Sequence, residues 1–128
     1  MEFDSQQAIY LQIADLVCEN ILKGVWKPKE RIPSIRDLAT QLSVNPNTVV
    51  KTYGYLESQG IIVNQRGIGF FVSEKGDQEV LRLKREIFLH RECPKFFHQM
   101  RLLGVSWEEL QKLYDSVEKN SFLSDDFL

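Results

Sequence analysis

The segment SIRDLATQLSVNPNTVVKTYGYLESQG, Ser34 to Gly60, places two helix starts and a helix stop in close succession, a spacing that helical hairpins in general share. Ser34 stands at an N-cap position with Asp37 at the capping-box spacing, while Ile35, Leu38, Ala39 and Leu42 recur along one helix face. After the joint Ser43-Val44-Asn45 comes Pro46, which would break any helix that contained it. At the first helical position, however, the missing N–H costs nothing and the fixed φ suits the helix. Asn45 is then the N-cap, accepting free amide protons of the first turn. Val49, Tyr53 and Leu56 follow at helical spacing, and Gly60 is a natural stop. Asn47, Thr48, Lys51, Thr52 and Tyr55 fall outside that stripe, so this helix is expected to show small polar groups and a cation near its start. Two short helices joined so briefly make a helix-turn-helix, whose second helix can enter the major groove of DNA.

The flanking segments fit that unit. Ile9, Ile13, Leu16, Val17 and Ile21 predict a helix over about Gln7 to Lys23, with Gly24 beyond it. Pro28 and Pro33 then exclude a continued helix, and Trp26 reads as a core or domain-closing aromatic. After Gly60 the period changes. Ile61 to Val63 and Phe70 to Val72 read as two strands, with Asn64, Gln65 and Arg66 at the tip and Gly67 and Gly69 able to take positive φ. A hairpin placed directly after a helix-turn-helix is a wing.

Whole-chain charge argues weakly against nucleic acid, because 16 Lys plus Arg face 18 Asp plus Glu in 128 residues, for a net charge of -2. The charge is unevenly spread. Lys27, Lys29, Arg31, Arg36, Lys51 and Arg66 outnumber Glu30, Asp37 and Glu57, so the winged segment is locally basic while the tail from Gly76 is slightly acidic. Cys18 and Cys93 sit in helical patterns and are expected to be reduced thiols. No charged start precedes an apolar run, and no stretch reaches the roughly 18 apolar residues of a membrane span. The expectation is a cytoplasmic protein without membrane insertion.

SEKGDQEV is a polar joint, and the expected division is a winged domain over residues 1–75 and a helical arm over 76–128. In the arm, Val80, Leu83, Ile87, Phe88, Phe96, Met100 and Leu103 keep a helical period that Pro94 should kink or split near Glu92. Ser106 and Glu109 then cap a last helix carrying Trp107, Leu110, Leu113, Tyr114 and Val117. Two such helices cannot bury this surface against each other, so a second copy is expected to cover it, the competing arrangement being a tail folded back across the first helix as a compact monomer; a two-fold pair reads two half-sites. The dimerisation residues are therefore expected to be Val80, Leu83, Ile87, Phe88, Phe96, Met100, Leu103, Trp107, Leu110 and Tyr114. Residues 120–128 show no clear period and are expected to pack loosely.

Catalysis and metal binding have thin support. Glu86, His90 and Cys93 share a helical spacing, but no second ligand cluster and no glycine-rich ligand loop accompany them. No cofactor is expected, and a solvated histidine and a buried cysteine are the ordinary reading.

From IYLQI through RIPSIRDLATQLSVNPNTVVKTYGYLESQGIIVNQRGIGFFV the chain resembles the GntR-type bacterial transcriptional regulators, and NPNTV with a short two-helix tail resembles the YtrA-like subgroup. The resemblance implies an α+β winged helix-turn-helix domain with an α-helical dimerisation arm, binding double-stranded DNA at a palindromic operator as a homodimer, most often as a repressor. Arg36 matches the arginine that approaches base edges or flanking phosphates, and Ser34 the capping serine with a phosphate contact. Asn47, Thr48 and Lys51 are the groove-reading candidates on the second helix. Arg66 and Gly67 match the wing tip. Where better-known members carry arginine this chain has Pro46, so Asn47, Thr48 and Lys51 carry more of the reading. Phe70 replaces the usual threonine, and it is expected to be buried or to close the wing. Only about fifty residues follow the wing, too few for the effector domain of larger relatives. The dimer crevice still leaves room for an unidentified small-molecule effector. The rival reading is a winged protein-interaction adaptor that has no sequence-specific contact with DNA.

Overall fold

The computed structural model describes residues 7–119, and the tail expectation for residues 120–128 lies outside them. Helix α1 (Ile9–Leu22) buries Ile13, Ala14, Val17, Cys18 and Ile21. Its buried face starts later than the sequence pattern suggests, since Ile9 in the first turn stays exposed and Gln12 is buried instead. The Gln12 amide tolerates burial because its Nε2 donates to the Gln7 carbonyl at 2.8 Å. Gly24 closes the helix with φ +78°.

Helix α2 (Ile35–Leu42) begins where Ser34 Oγ accepts the Asp37 N–H at 3.0 Å. It ends at Ser43, which takes the left-handed conformation at φ 55° and turns the chain within the helix-turn-helix. Helix α3 (Pro46–Ser58) begins as its punctuation predicts, with Asn45 Oδ1 accepting the Asn47 N–H at 2.8 Å. Val49, Tyr53 and Leu56 are its buried apolar residues. Thr52 corrects the expected polar face, because it is fully buried. Its hydroxyl lies 2.8 Å from the Tyr10 carbonyl and 3.1 Å from the Thr48 carbonyl, so the polar group is satisfied while it fastens α3 to α1.

The hairpin pairs β1 (Ile62–Gln65) with β2 (Gly69–Val72) antiparallel, Ile62 opposite Val72 and Gln65 opposite Gly69. Asn64 and Gln65 thus lie in the strand, and the tip is Arg66-Gly67-Ile68. The Ile68 N–H donates to the Gln65 carbonyl at 2.9 Å, and Gly67 at φ +78° supplies the positive φ such a turn needs at its third residue. The free edge of β2 is covered by residues 29–32, a segment for which the flanking prolines exclude a helix. Lys29 and Ile32 donate N–H to the Val72 and Phe70 carbonyls, Val72 donates back to Glu30, and Arg31 bridges Phe71.

Helix α4 (Gly76–Ile87) starts against the base of this hairpin. A Cβ on Gly76 would lie 2.6 Å from Val72 Cγ1 and 2.7 Å from the Ile61 carbonyl oxygen, so only glycine allows this approach. Val80 and Leu83 are buried within the protomer, which corrects their assignment to dimerisation: they have no surface left to offer a second copy. The described residues divide into two compact units after Arg85, ten residues beyond the expected boundary, because the buried face of α4 belongs to the first unit.

The second unit contains a π-helical segment (Phe88–Glu92), α5 (Cys93–Leu102) and α6 (Trp107–Lys119). The Cys93 N–H donates to the Phe88 carbonyl, five residues back, and Pro94 follows in the first turn of α5. The proline is therefore accommodated by a widened turn that restarts the helix. Ser106 and Glu109 form a reciprocal capping box ahead of α6, with N–H to side-chain distances of 3.1 and 3.2 Å.

Candidate nucleic-acid interface

Tyr53 ties together the elements that carry the candidate residues. Its hydroxyl donates to the Pro33 carbonyl at 2.6 Å, just ahead of α2, and its ring meets Phe70 of β2 edge-on with centroids 4.8 Å apart. One side chain of α3 thus fixes both the approach to α2 and the wing. Phe70 is half-buried there and closes the wing through that contact. Burial pushes the Tyr53 phenol above its ordinary value, so the hydroxyl stays a neutral donor.

The candidate polar side chains lie on the outside of this frame. Arg36 is exposed in the first turn of α2. Ser34 uses an oxygen lone pair as cap acceptor, which leaves its hydroxyl proton for an outside acceptor. At the start of α3, Asn47 is exposed and Thr48 half-buried, with Val50 exposed beside them. Lys51 is exposed, and its Nζ sits 4.3 Å from the centroid of the Tyr10 ring. Tyr10 in turn meets Tyr55 edge-on, so the ammonium rests on an aromatic pair, a contact absent from any helical-period argument. Arg66 and Gly67 are exposed at the wing tip.

Electrostatically these cations are unspent. Among the described residues the ion pairs are Lys29 with Glu74, Arg82 with Glu79 and Lys84 with Asp15, and His90 lies close to Glu86. Arg31, Arg36, Lys51 and Arg66 take part in none of them. Four basic groups on the residue 29–32 strand, α2, α3 and the wing therefore face solvent without an acidic partner. That arrangement suits a polyanion. Sequence reasoning counts Arg31 among the basic residues of the winged segment but does not single it out. Its strand lies between two prolines and contains one apolar residue, Ile32, so no alternation announced it.

Other chemistry finds little support. No group of three or more His, Cys, Asp or Glu among the described residues could hold a metal ion. His90 Nε2 lies 3.9 Å from Glu86 Oε2, both exposed, and Cys93 is half-buried. The Cys18 thiol is pushed up to about 11, first by burial, with Lys84 opposing and Asp15 adding, so it is protonated and unreactive at neutral pH. No helix among the described residues is long and apolar enough to cross a membrane.

Comparison with known proteins agrees with this geometry. Residues 9–72 match the family described as bacterial regulatory proteins, gntR family. The chain is 38% identical over 112 residues to the uncharacterized HTH-type transcriptional regulator YhcF of Bacillus subtilis, covering 85% of this chain and 88% of that one. It is 36% identical over 117 residues to the HTH-type transcriptional repressor YtrA of the same organism, covering 91% and 87%. Among solved structures, a GntR-family regulator from Bacteroides thetaiotaomicron superposes with a TM-score of 0.78 at 44% identity, covering 89% of this chain and 99% of that one.

Proposed function

Since the chain belongs to the gntR family of bacterial regulatory proteins, we propose that it is a sequence-specific DNA-binding repressor that acts as a homodimer at a palindromic operator. The observation that carries the reading is the set of unpaired cations on α2, α3 and the wing of one rigidly tied unit. Repression, and membership of the YtrA-like subgroup, are supported by the near full-length similarity to the repressor YtrA.

In this mechanism α3 enters the major groove by its N-terminal end. Asn47 bonds a base edge, Thr48 meets a thymine methyl or a phosphate, and Lys51 neutralises a phosphate from its seat on Tyr10. Arg36 offers its planar fork to guanine O6 and N7 or to the flanking phosphate, and Ser34 donates its hydroxyl to the backbone. Arg66 and Gly67 reach the minor groove, where the absent side chain of glycine allows close approach. A second copy supplies the other half-site. Its contact is made by the apolar residues from Ile87 onwards, of which Phe88, Phe96, Leu103, Trp107 and Tyr114 are exposed and Ile87, Met100 and Leu110 half-buried. At roughly 25 cal/mol per Å² removed from water, a few hundred Å² of such surface contributes several kcal/mol to pairing.

Selection of binding sites from random duplex DNA tests the reading. A two-fold-symmetric motif should be enriched. Arg36→Ala should then lose roughly 1–3 kcal/mol of preference for that motif, and Lys51→Ala should bind more weakly with a shallower salt dependence. Failure to enrich any motif, with unchanged affinity and salt slope in both variants, would transfer the weight to a protein-binding adaptor.

A further inference from the structure

We infer that Arg31 is a phosphate anchor for duplex DNA, held beside the wing by a slot that Gly69 leaves open; the inference rests on the DNA-binding reading above. The geometry starts in the backbone. Arg31 bridges Phe71 of β2, and its neighbour Ile32 is buried, so strand alternation turns Arg31 outward. Its guanidinium then lies across Gly69. A Cβ at position 69 would sit 2.9 Å from Nε, 3.0 Å from Nη2 and 3.3 Å from Cζ, so any side chain there would displace the group. Gly69 also holds φ +147°, a conformation L side chains rarely adopt.

Neutralisation inside the protein is not what holds Arg31. The adjacent carboxylate of Glu30 and that of Glu74, just beyond β2, are engaged elsewhere: Glu30 Oε1 accepts the Lys27 N–H at 2.9 Å, and Glu74 pairs with Lys29 at 3.7 Å. Arg31 thus presents a planar, charged set of donors laid over Gly69, on the segment that lines the edge of the hairpin carrying Arg66 and Gly67 at its tip. A phosphate oxygen pair matches that fork, and a protein carboxylate is not supplied. In the complex Arg31 therefore contacts the sugar–phosphate backbone flanking the groove that the tip enters.

A phosphate contact has a signature that a packing role lacks. It adds to the salt dependence and acts alike on matched and random sequence. Binding of the full chain to the selected duplex and to a random-sequence duplex should be measured against salt for wild type and Arg31→Gln. The slope of log affinity against log salt should become shallower by about 0.9, so that between about 50 and 200 mM salt the wild type loses roughly three- to fourfold more affinity than R31Q. Both duplexes should weaken by the same factor. Arg31→Lys, which keeps the charge, should retain the wild-type slope. Gly69→Ala, which keeps the arginine but fills its slot, should weaken binding towards the R31Q level, and adding R31Q should cost little more. An unchanged slope in R31Q, alongside altered binding in Arg36→Ala and Lys51→Ala, would overturn the Arg31 assignment and leave the regulator intact. If none of the three variants alters binding, the DNA-binding reading fails and Arg31 with it.

Discussion

The two units of the chain carry comparable apolar content and treat it in opposite ways. Every buried side chain among the described residues lies at or before Leu83, whereas from Glu86 to Val117 none is buried. Yet that second stretch holds Phe88, Leu89, Phe96, Phe97, Leu102, Leu103, Trp107, Leu113 and Tyr114, all exposed. The winged unit therefore completes its own core, and the helical unit leaves its apolar residues exposed. The difference separates two kinds of substitution that sequence hydrophobicity would treat as equivalent.

The largest effect should come from Leu56→Ala. Leu56 is fully buried, and its truncation should cost the winged unit about 2–5 kcal/mol in denaturant unfolding. Leu103→Glu should leave that unfolding transition unchanged while weakening self-association by about 1.5–3 kcal/mol, read by sedimentation equilibrium. Equal losses of protomer stability in the two variants would dissolve the distinction between the units. Alkaline pH should destabilise the first unit. Because folding raises the Cys18 pKa from 9.0 to about 11, its contribution is fully present below pH 9 and is lost as pH rises towards 11. The loss is on the order of 2 kcal/mol, the buried Tyr53 phenol adds to it in the same direction, and urea titrations across that window should show a smaller slope in Cys18→Ala. The smallest effects concern caps. Asn45→Ala should cost about 1 kcal/mol of winged-unit stability, and Ser106→Ala a similar amount felt as fraying of α6, which hydrogen exchange resolves by segment.

What could be read from residues alone follows the same divide between local and distant causes. The caps at Ser34, Asn45 and Ser106 were legible because capping is settled within three residues. The wing was legible from a change of period and two glycines, although the tip sits two residues later than the polar residues Asn64 and Gln65 suggested. Residues 29–32 were not, since four positions between prolines show no alternation and their pairing is with a strand some forty residues away. Thr52 was misread because its hydroxyl finds the Tyr10 carbonyl, a partner in another helix. Val80 and Leu83 show the general limit. An amphipathic period identifies an apolar face, while whether that face meets its own domain or another molecule depends on where the helix begins, and Gly76 sets that by letting α4 start against the hairpin.

The proposed function rests on a division of labour: a self-sufficient winged unit reads a half-site, and exposed helices bring two such units together. Stoichiometry on the selected duplex, measured by sedimentation velocity with labelled DNA and protein, tests it most directly. The account predicts two chains per two-fold-symmetric duplex, with Leu103→Glu lowering occupancy cooperatively while each half-site keeps its sequence preference. One chain bound to an asymmetric site, with occupancy indifferent to Leu103→Glu, would contradict it.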